Sequence, residues 1–140
     1  MAILALDVGE RRIGVAISDP GETFALPLPV IDRVALREDV AAIVRLAEER
    51  GASTIVVGDP LTLSGERGIA AGKIDRFCET LARSYPGALA RADERLTTAQ
   101  ATRTLIAADV SRAKRKRTVD GIAAALILES YLAGRRRSAE

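Results

Sequence analysis

The 140-residue sequence predicts an α/β fold: a five-stranded mixed sheet, built from a three-strand antiparallel meander plus two parallel strands, flanked by helices. Three observations predict it. The first thirty residues hold three short apolar runs separated by tight-turn residues. The chain then alternates segments of helical period with short β-branched runs. Near the C-terminus, the stretch from Gly121 to Leu128 is apolar almost all round, the mark of a buried helix. A chain of this length builds one core, so meander and parallel strands must share one sheet.

The elements follow in order. Ile3 to Val8 reads as a buried strand, and Gly9-Glu10 as the turn into a second, Arg12 to Ser18. After Asp19-Pro20-Gly21 a third strand runs from Thr23 to Val30. Pro27 and Pro29 cannot donate to a ladder, which puts that strand at a sheet edge. From Val34 to Arg50 the positions Leu36, Val40, Ile43, Val44 and Ala47 keep helical spacing, with Gly51 as the stop. Thr54 to Gly58 is a fourth strand, followed by a Gly/Pro/Ser-containing loop from Asp59 to Gly68. That loop is long enough to suggest a working one. Ala70 to Tyr85 is a helix broken by Pro86-Gly87, and Leu89 to Asp93 a fifth strand. Thr97 or Thr98 caps a third helix to about Ala108, and a last helix spans Val119 to Leu132, ending before Gly134. Strand–helix–strand units pair in parallel through right-handed crossovers. The whole, residues 1–140, is expected to be one domain with a basic tail from about 133.

Composition excludes several chemistries. There is no His and a single Cys, Cys78, so a structural zinc site, a Ser-His-Asp triad and a Cys-His pair are ruled out. Hydrolysis would have to use carboxylates, Lys, Tyr, hydroxyls, backbone amides or hard metal ions. A lone Cys fits a reducing compartment, and MAILALDVGERR lacks the basic start and cleavage site of a secretory signal, so a cytoplasmic protein is expected. No apolar run approaches the roughly 18 residues of a membrane span, and no membrane association is expected.

The net charge of +2 conceals an asymmetry, −3 over residues 1–110 and +5 over residues 111–140. The excess lies in two knots, Arg112-Lys114-Arg115-Lys116-Arg117 and Arg135-Arg136-Arg137. With a sequence pI near 9.0, this distribution points to a polyanion such as nucleic acid. A solvated helix flank with a frayed tail would look the same.

Three carboxylates stand in unusual places. Asp7 interrupts an apolar strand, where an unpaired charge costs several kcal/mol, so backbone amides, an Arg or a metal must compensate it. Glu94 directly follows the fifth strand, where α/β proteins gather their sites, although a charged strand end is ordinary. Asp120 opens the apolar helix and shares a stripe with Ala123, Ala124, Ile127 and Tyr131. It could also simply favour the helix N-terminal dipole. If that helix crosses the sheet near its centre, all three acids converge where strands one, four and five end. Clustered carboxylates repel one another. Hard divalent cations, Mg²⁺ or Mn²⁺, resolve the conflict, and two of them form the clamp used for displacement at phosphorus without any His.

Four stretches now resemble one family. LDVGERRIGVAISDP resembles the opening motif of the YqgF/RuvX family, VVGDPLTLSGERG its central loop, DERLTTAQA its Asp-Glu-Arg-Leu-Thr-Thr motif, and SRAKRKRTVDGIAAALILESYL its closing basic segment and Asp-bearing helix. The resemblance covers residues 3–132 with the motifs in order. It departs from the family pattern at Asp59, Ser64 and Arg11. What it implies is a ribonuclease H-like fold and a nuclease of structured nucleic acid: processing of the 5′ end of pre-16S rRNA, or resolution of Holliday junctions in DNA. It implies that Asp7, Glu94 and Asp120 are the metal-binding catalytic acids, with two Mg²⁺ or Mn²⁺ ions. On that reading Arg12, Arg95, Arg112, Lys114, Arg115, Lys116 and Arg117 grip phosphates, Thr97 and Thr98 bond phosphate or groups behind it, and a homodimer would serve a two-fold junction.

Two rival readings are weaker. A sugar-kinase or actin-like phosphotransferase also opens on Asp-x-Gly but needs a second domain and a second phosphate motif. A non-catalytic RNA-binding module would keep a carboxylate cluster that only costs stability without metal.

Overall fold

The computed structural model describes residues 2–19, 21, 25–59, 69–93 and 112–139, with side chains described except at 69–71, 93, 112–120 and 135–139. Its strands are β1 (Ala2–Val8), β2 (Arg12–Ser18), β3 (Ala25–Asp32), β4 (Ala52–Asp59) and β5 (Ala88–Asp93). Its helices are α1 (Leu36–Arg50), α2 (Ile69–Ser84) and α3 (Arg112–Ala139). The sheet order is β3-β2-β1-β4-β5, with β1–β2 and β2–β3 antiparallel and β1–β4 and β4–β5 parallel. This is the mixed sheet the sequence predicts, with Pro27 and Pro29 on an edge strand.

Period-two alternation divides the sheet into two faces. Leu4, Leu6, Ile13, Val15, Ile55 and Val57 point to α1 and α2, where Val40, Ile43, Phe77 and Leu81 complete the core. Ile3, Ala5, Ala16 and Val56 point the other way and meet Ala124, Ala125, Ile127 and Leu128 of α3. That second layer is built largely from alanine, so the helix lies close to the strands. At Gly121 an added Cβ would sit 3.5 Å from Pro27 Cβ.

Local chemistry sets the boundaries. The α1 N-cap, Ala35, is extended at φ −157° and makes no side-chain cap. Asp39 instead reaches back past the cap, its Oδ1 accepting the Val34 N–H at 3.0 Å. That bond holds Val34 outside the helix, which starts at Leu36 rather than Val34. Gly51 ends it in the left-handed region, φ 67°, where any Cβ would be strained. Strand β4 begins two residues before Thr54, where Tyr85 Oη donates to the Ala52 carbonyl at 2.8 Å.

The last helix departs most from expectation. It runs from Arg112 to Ala139, taking in both basic knots and passing straight through Gly134. Ala, Arg and Lys are strong helix formers, and one Gly costs only about 1 kcal/mol, so neither knot breaks the helix. The expected stop at Leu132 and the stand-off tail beyond it are replaced by continuous helix. The helix expected over residues 97–108 lies outside the described residues.

Candidate nuclease site

Asp7 closes β1. It is half-buried, and alternation with Ile3 and Ala5 puts it on the α3 face. Its partner across the ladder is Gly14, which offers no side chain to crowd it. Arg12 opens β2, in step with Ala16 on the same face, and lies diagonally across from Asp7 in the register. Asp7 and Arg12, both singled out in the sequence, are thus neighbours on the helix-covered side.

The turn beyond Asp7 is firmly tied. The Gly9 N–H donates to the Arg12 carbonyl at 2.9 Å, closing a tight hairpin. A Cβ on Gly9 would come within 2.9 Å of that same oxygen, so only glycine fits. Arg33 then holds the turn from the side, its N–H donating to the Arg11 carbonyl at 2.9 Å and its Nη1 to the Gly9 carbonyl at 2.8 Å. Neither Arg33 nor its partner Asp39 carries a sequence signal of its own. Only a buried Asp in the first turn of an amphipathic helix could have marked them.

The other predicted residues fall as follows. Asp120 has its backbone in the third turn of α3, and Ala123, Ala124 and Ile127 further along are fully buried. The helix begins at Arg112, so Asp120 is too deep to serve the N-terminal dipole, whose effect fades within the first turn. That alternative is removed. Arg112, Lys114, Arg115, Lys116 and Arg117 form the first two turns of α3, which carry no acidic residue in the first. Glu94, Arg95, Thr97 and Thr98 lie outside the described residues, as does Ser64. Among the described residues no three His, Cys, Asp or Glu side chains gather as a metal group.

Asp59, one of the departures from the family pattern, does not join the acids. It alternates with Val57 and so faces α2, on the opposite side of the sheet from Asp7. There Arg91 Nη2 donates to its Oδ1 at 3.1 Å while Arg91 Nη1 donates to Asp75 Oδ1 at 2.6 Å. Burial alone would lower the Arg91 pKa, but the bond to Asp75 and the charges of Asp59 and Asp75 hold it above its ordinary value. The extra carboxylate is matched by a cation on the neighbouring strand.

A mixed sheet of this order, with an acid ending its central strand under a buried helix, defines a ribonuclease H-like protein, and solved structures agree. The Thermus thermophilus RuvC structure matches with a TM-score of 0.54 at 14% identity, over 97% of this chain and 96% of that one. A fowlpox virus resolvase, solved with Holliday junction DNA, matches with a TM-score of 0.58 at 13% identity, over 96% and 98%. At such identities these likenesses speak for the fold.

The sequence matches narrow the class. The RuvX family, described as Holliday junction resolvase, matches residues 1–134, and the chain belongs to that family. It is 48% identical over 134 residues to a Chloroflexus aurantiacus protein named "Putative pre-16S rRNA nuclease", covering 96% of this chain and 88% of that one. A Clostridium perfringens protein of the same name is 43% identical, over 94% and 96%. Membership makes the chain a hydrolase acting on nucleic acid. No helix among the described residues is long and apolar enough to cross a membrane.

Proposed function

We propose that this chain is a metal-dependent endonuclease that trims the 5′ end of pre-16S rRNA, with Asp7, Glu94 and Asp120 as its catalytic acids. The observation that carries the reading is the position of Asp7, half-buried on the alanine-lined α3 face at the carboxyl end of the central strand. Two counts support the other acids. Ala90 and Ala92 pack against the α3 layer, and Glu94 follows Ala92 by two positions in the sequence. Ala124 and Ile127 are buried four and seven residues beyond Asp120, which shares their helical stripe.

A donor set of carboxylate oxygens without any His fits Mg²⁺ or Mn²⁺. Bound by Asp7, Glu94 and Asp120, two such ions would lower the pKa of an attacking water and neutralise charge at the leaving oxygen. The chain's own residues do the rest. Arg12, Arg95 and the Arg112–Arg117 knot hold the phosphates on either side of the scissile bond. Thr97 and Thr98 bond phosphate or the groups behind it. The first turns of α3 add their dipole to the charge of the knot, a combination that only a polyanion relieves. The whole acts as one domain, residues 1–140, in the cytoplasm.

A second reading, resolution of branched DNA, is favoured by the family description and by the fowlpox neighbour's junction complex. It calls for a homodimer with two sites facing a two-fold junction. End-labelled pre-16S leader RNA and a four-way DNA junction, each incubated with Mg²⁺ or Mn²⁺ and with wild type or Asp7→Asn, test both readings. Cleavage of the leader alone, absent in the variant, supports rRNA processing. Cleavage of the junction alone transfers the assignment to resolution, and cleavage of neither overturns both.

A further inference from the structure

Arg33 is bound on every side. Its Nε meets Asp39 Oδ2 at 3.0 Å, and the Asp39 side chain is only 2% exposed. Its guanidinium carbon lies 5.7 Å from the ring centroid of Phe77, a buried residue of α2. Its Nη1 donates to the Gly9 carbonyl at 2.8 Å, and its backbone N–H to the Arg11 carbonyl at 2.9 Å, so side chain and backbone both meet the β1–β2 turn. Asp39 is anchored in turn by the Val34 N–H at 3.0 Å. A continuous path of hydrogen bonds thus joins the start of α1 and the end of β3 to the turn that separates Asp7 from Arg12.

We propose that Arg33 is a positioning residue for the nuclease site: it fixes the Gly9–Arg12 turn from the α1 side and so sets where Asp7 and Arg12 stand on the opposite face. The inference rests on the reading of Asp7 as a metal ligand. In Arg33→Gln the turn keeps its Gly9–Arg12 hydrogen bond and the backbone bond to Arg11, but loses the Nη1 contact at Gly9 that stops it rocking about the end of β1. Because Asp7 lies two residues before Gly9, such rocking displaces its carboxylate. Groups behind a metal ligand commonly govern affinity in this way, by ten- to a hundred-fold. Lys, a single point donor on a flexible stem, cannot hold Asp39 and the Gly9 carbonyl with the planar fork that Arg supplies.

The test compares wild type with Arg33→Gln, Arg33→Lys and Leu81→Ala, the last a destabilising change at a fully buried position of α2. Mn²⁺ affinity is read from the electron paramagnetic resonance of free Mn²⁺, and the turn from amide hydrogen exchange at Gly9. Arg33→Gln is expected to weaken Mn²⁺ binding by about tenfold and to speed Gly9 exchange, with Arg33→Lys between it and wild type. Leu81→Ala is expected to lower Tm and leave Mn²⁺ affinity at the wild-type value. Unchanged Mn²⁺ affinity in Arg33→Gln, or an equal loss in Leu81→Ala, overturns the proposal. Wild type that binds no Mn²⁺ overturns the reading of Asp7 instead. Gly9 exchange then still decides whether Arg33 holds the turn, since wild-type protection in Arg33→Gln denies it.

Discussion

The two faces of the sheet are built on different principles. On the α1–α2 side, Leu, Ile and Val from every inner strand meet Phe77 and Leu81, and each fully buried side chain of that size contributes about 1.5–3 kcal/mol. On the α3 side the strands present Ala5, Ala16, Ala90 and Ala92, and the helix answers with Ala124 and Ala125. Alanine buries little area, so this layer stabilises less, but it lets a helix bearing Asp120 approach a strand ending in Asp7. The charged groups divide in the same way: Asp39 and Asp59 are paired by Arg33 and Arg91 on the first face, and Asp7 stands on the second.

Cutting into the first face should cost the most stability. Leu81→Ala removes a fully buried side chain and is expected to lower unfolding free energy by about 2–5 kcal/mol in a urea titration. Metal affinity of the folded fraction should stay the same. Overfilling the second face should cost less stability and more activity. Ala124→Leu forces the helix off the sheet, at about 1–3 kcal/mol, and nuclease rate should fall further than the stability loss explains. A variant that keeps full rate would deny that close helix approach matters.

A smaller effect concerns alkaline pH. Burial pushes the Tyr85 hydroxyl above its ordinary pKa of 10.0. The folded chain then holds that proton more tightly than the unfolded chain does. The contribution is complete below pH 10 and is lost as pH rises through the folded pKa. Tyr85→Phe loses the bond to the Ala52 carbonyl at 2.8 Å and should be less stable at neutral pH. Its urea midpoint should also fall less than that of wild type between about pH 9 and about pH 11. The smallest effect is expected at Arg91→Gln. Its ion pairs are largely solvated, so stability should drop by about 1 kcal/mol or less, with cleavage unchanged because Asp59 faces away from the site.

The meander and the edge position of β3 are legible in the sequence, because Pro27, Pro29 and the turn residues each act locally, while the spatial order β3-β2-β1-β4-β5 comes from the structure. So is the separateness of Asp7, since a charge inside an apolar run violates the pattern around it. The start of α3 is not legible, because a run of Arg and Lys reads equally as exposed helix or as loop, and only packing further along decides. Asp59 reads as a departure until the structure supplies Arg91, thirty-two positions away in sequence. The Arg33–Asp39 link is hidden for the same reason: side-chain pairs joining separate elements leave no periodicity to read.

The proposed role of Asp7, Glu94 and Asp120 is to hold divalent cations. Thermal unfolding of wild type, Asp7→Asn, Glu94→Gln and Asp120→Asn across a Mn²⁺ titration examines that role, since a ligand bound only by the folded state raises Tm with its concentration. The expected outcome is a rising Tm for wild type and a flat or strongly weakened response in each variant. A wild-type response that survives unchanged in Asp7→Asn would contradict it.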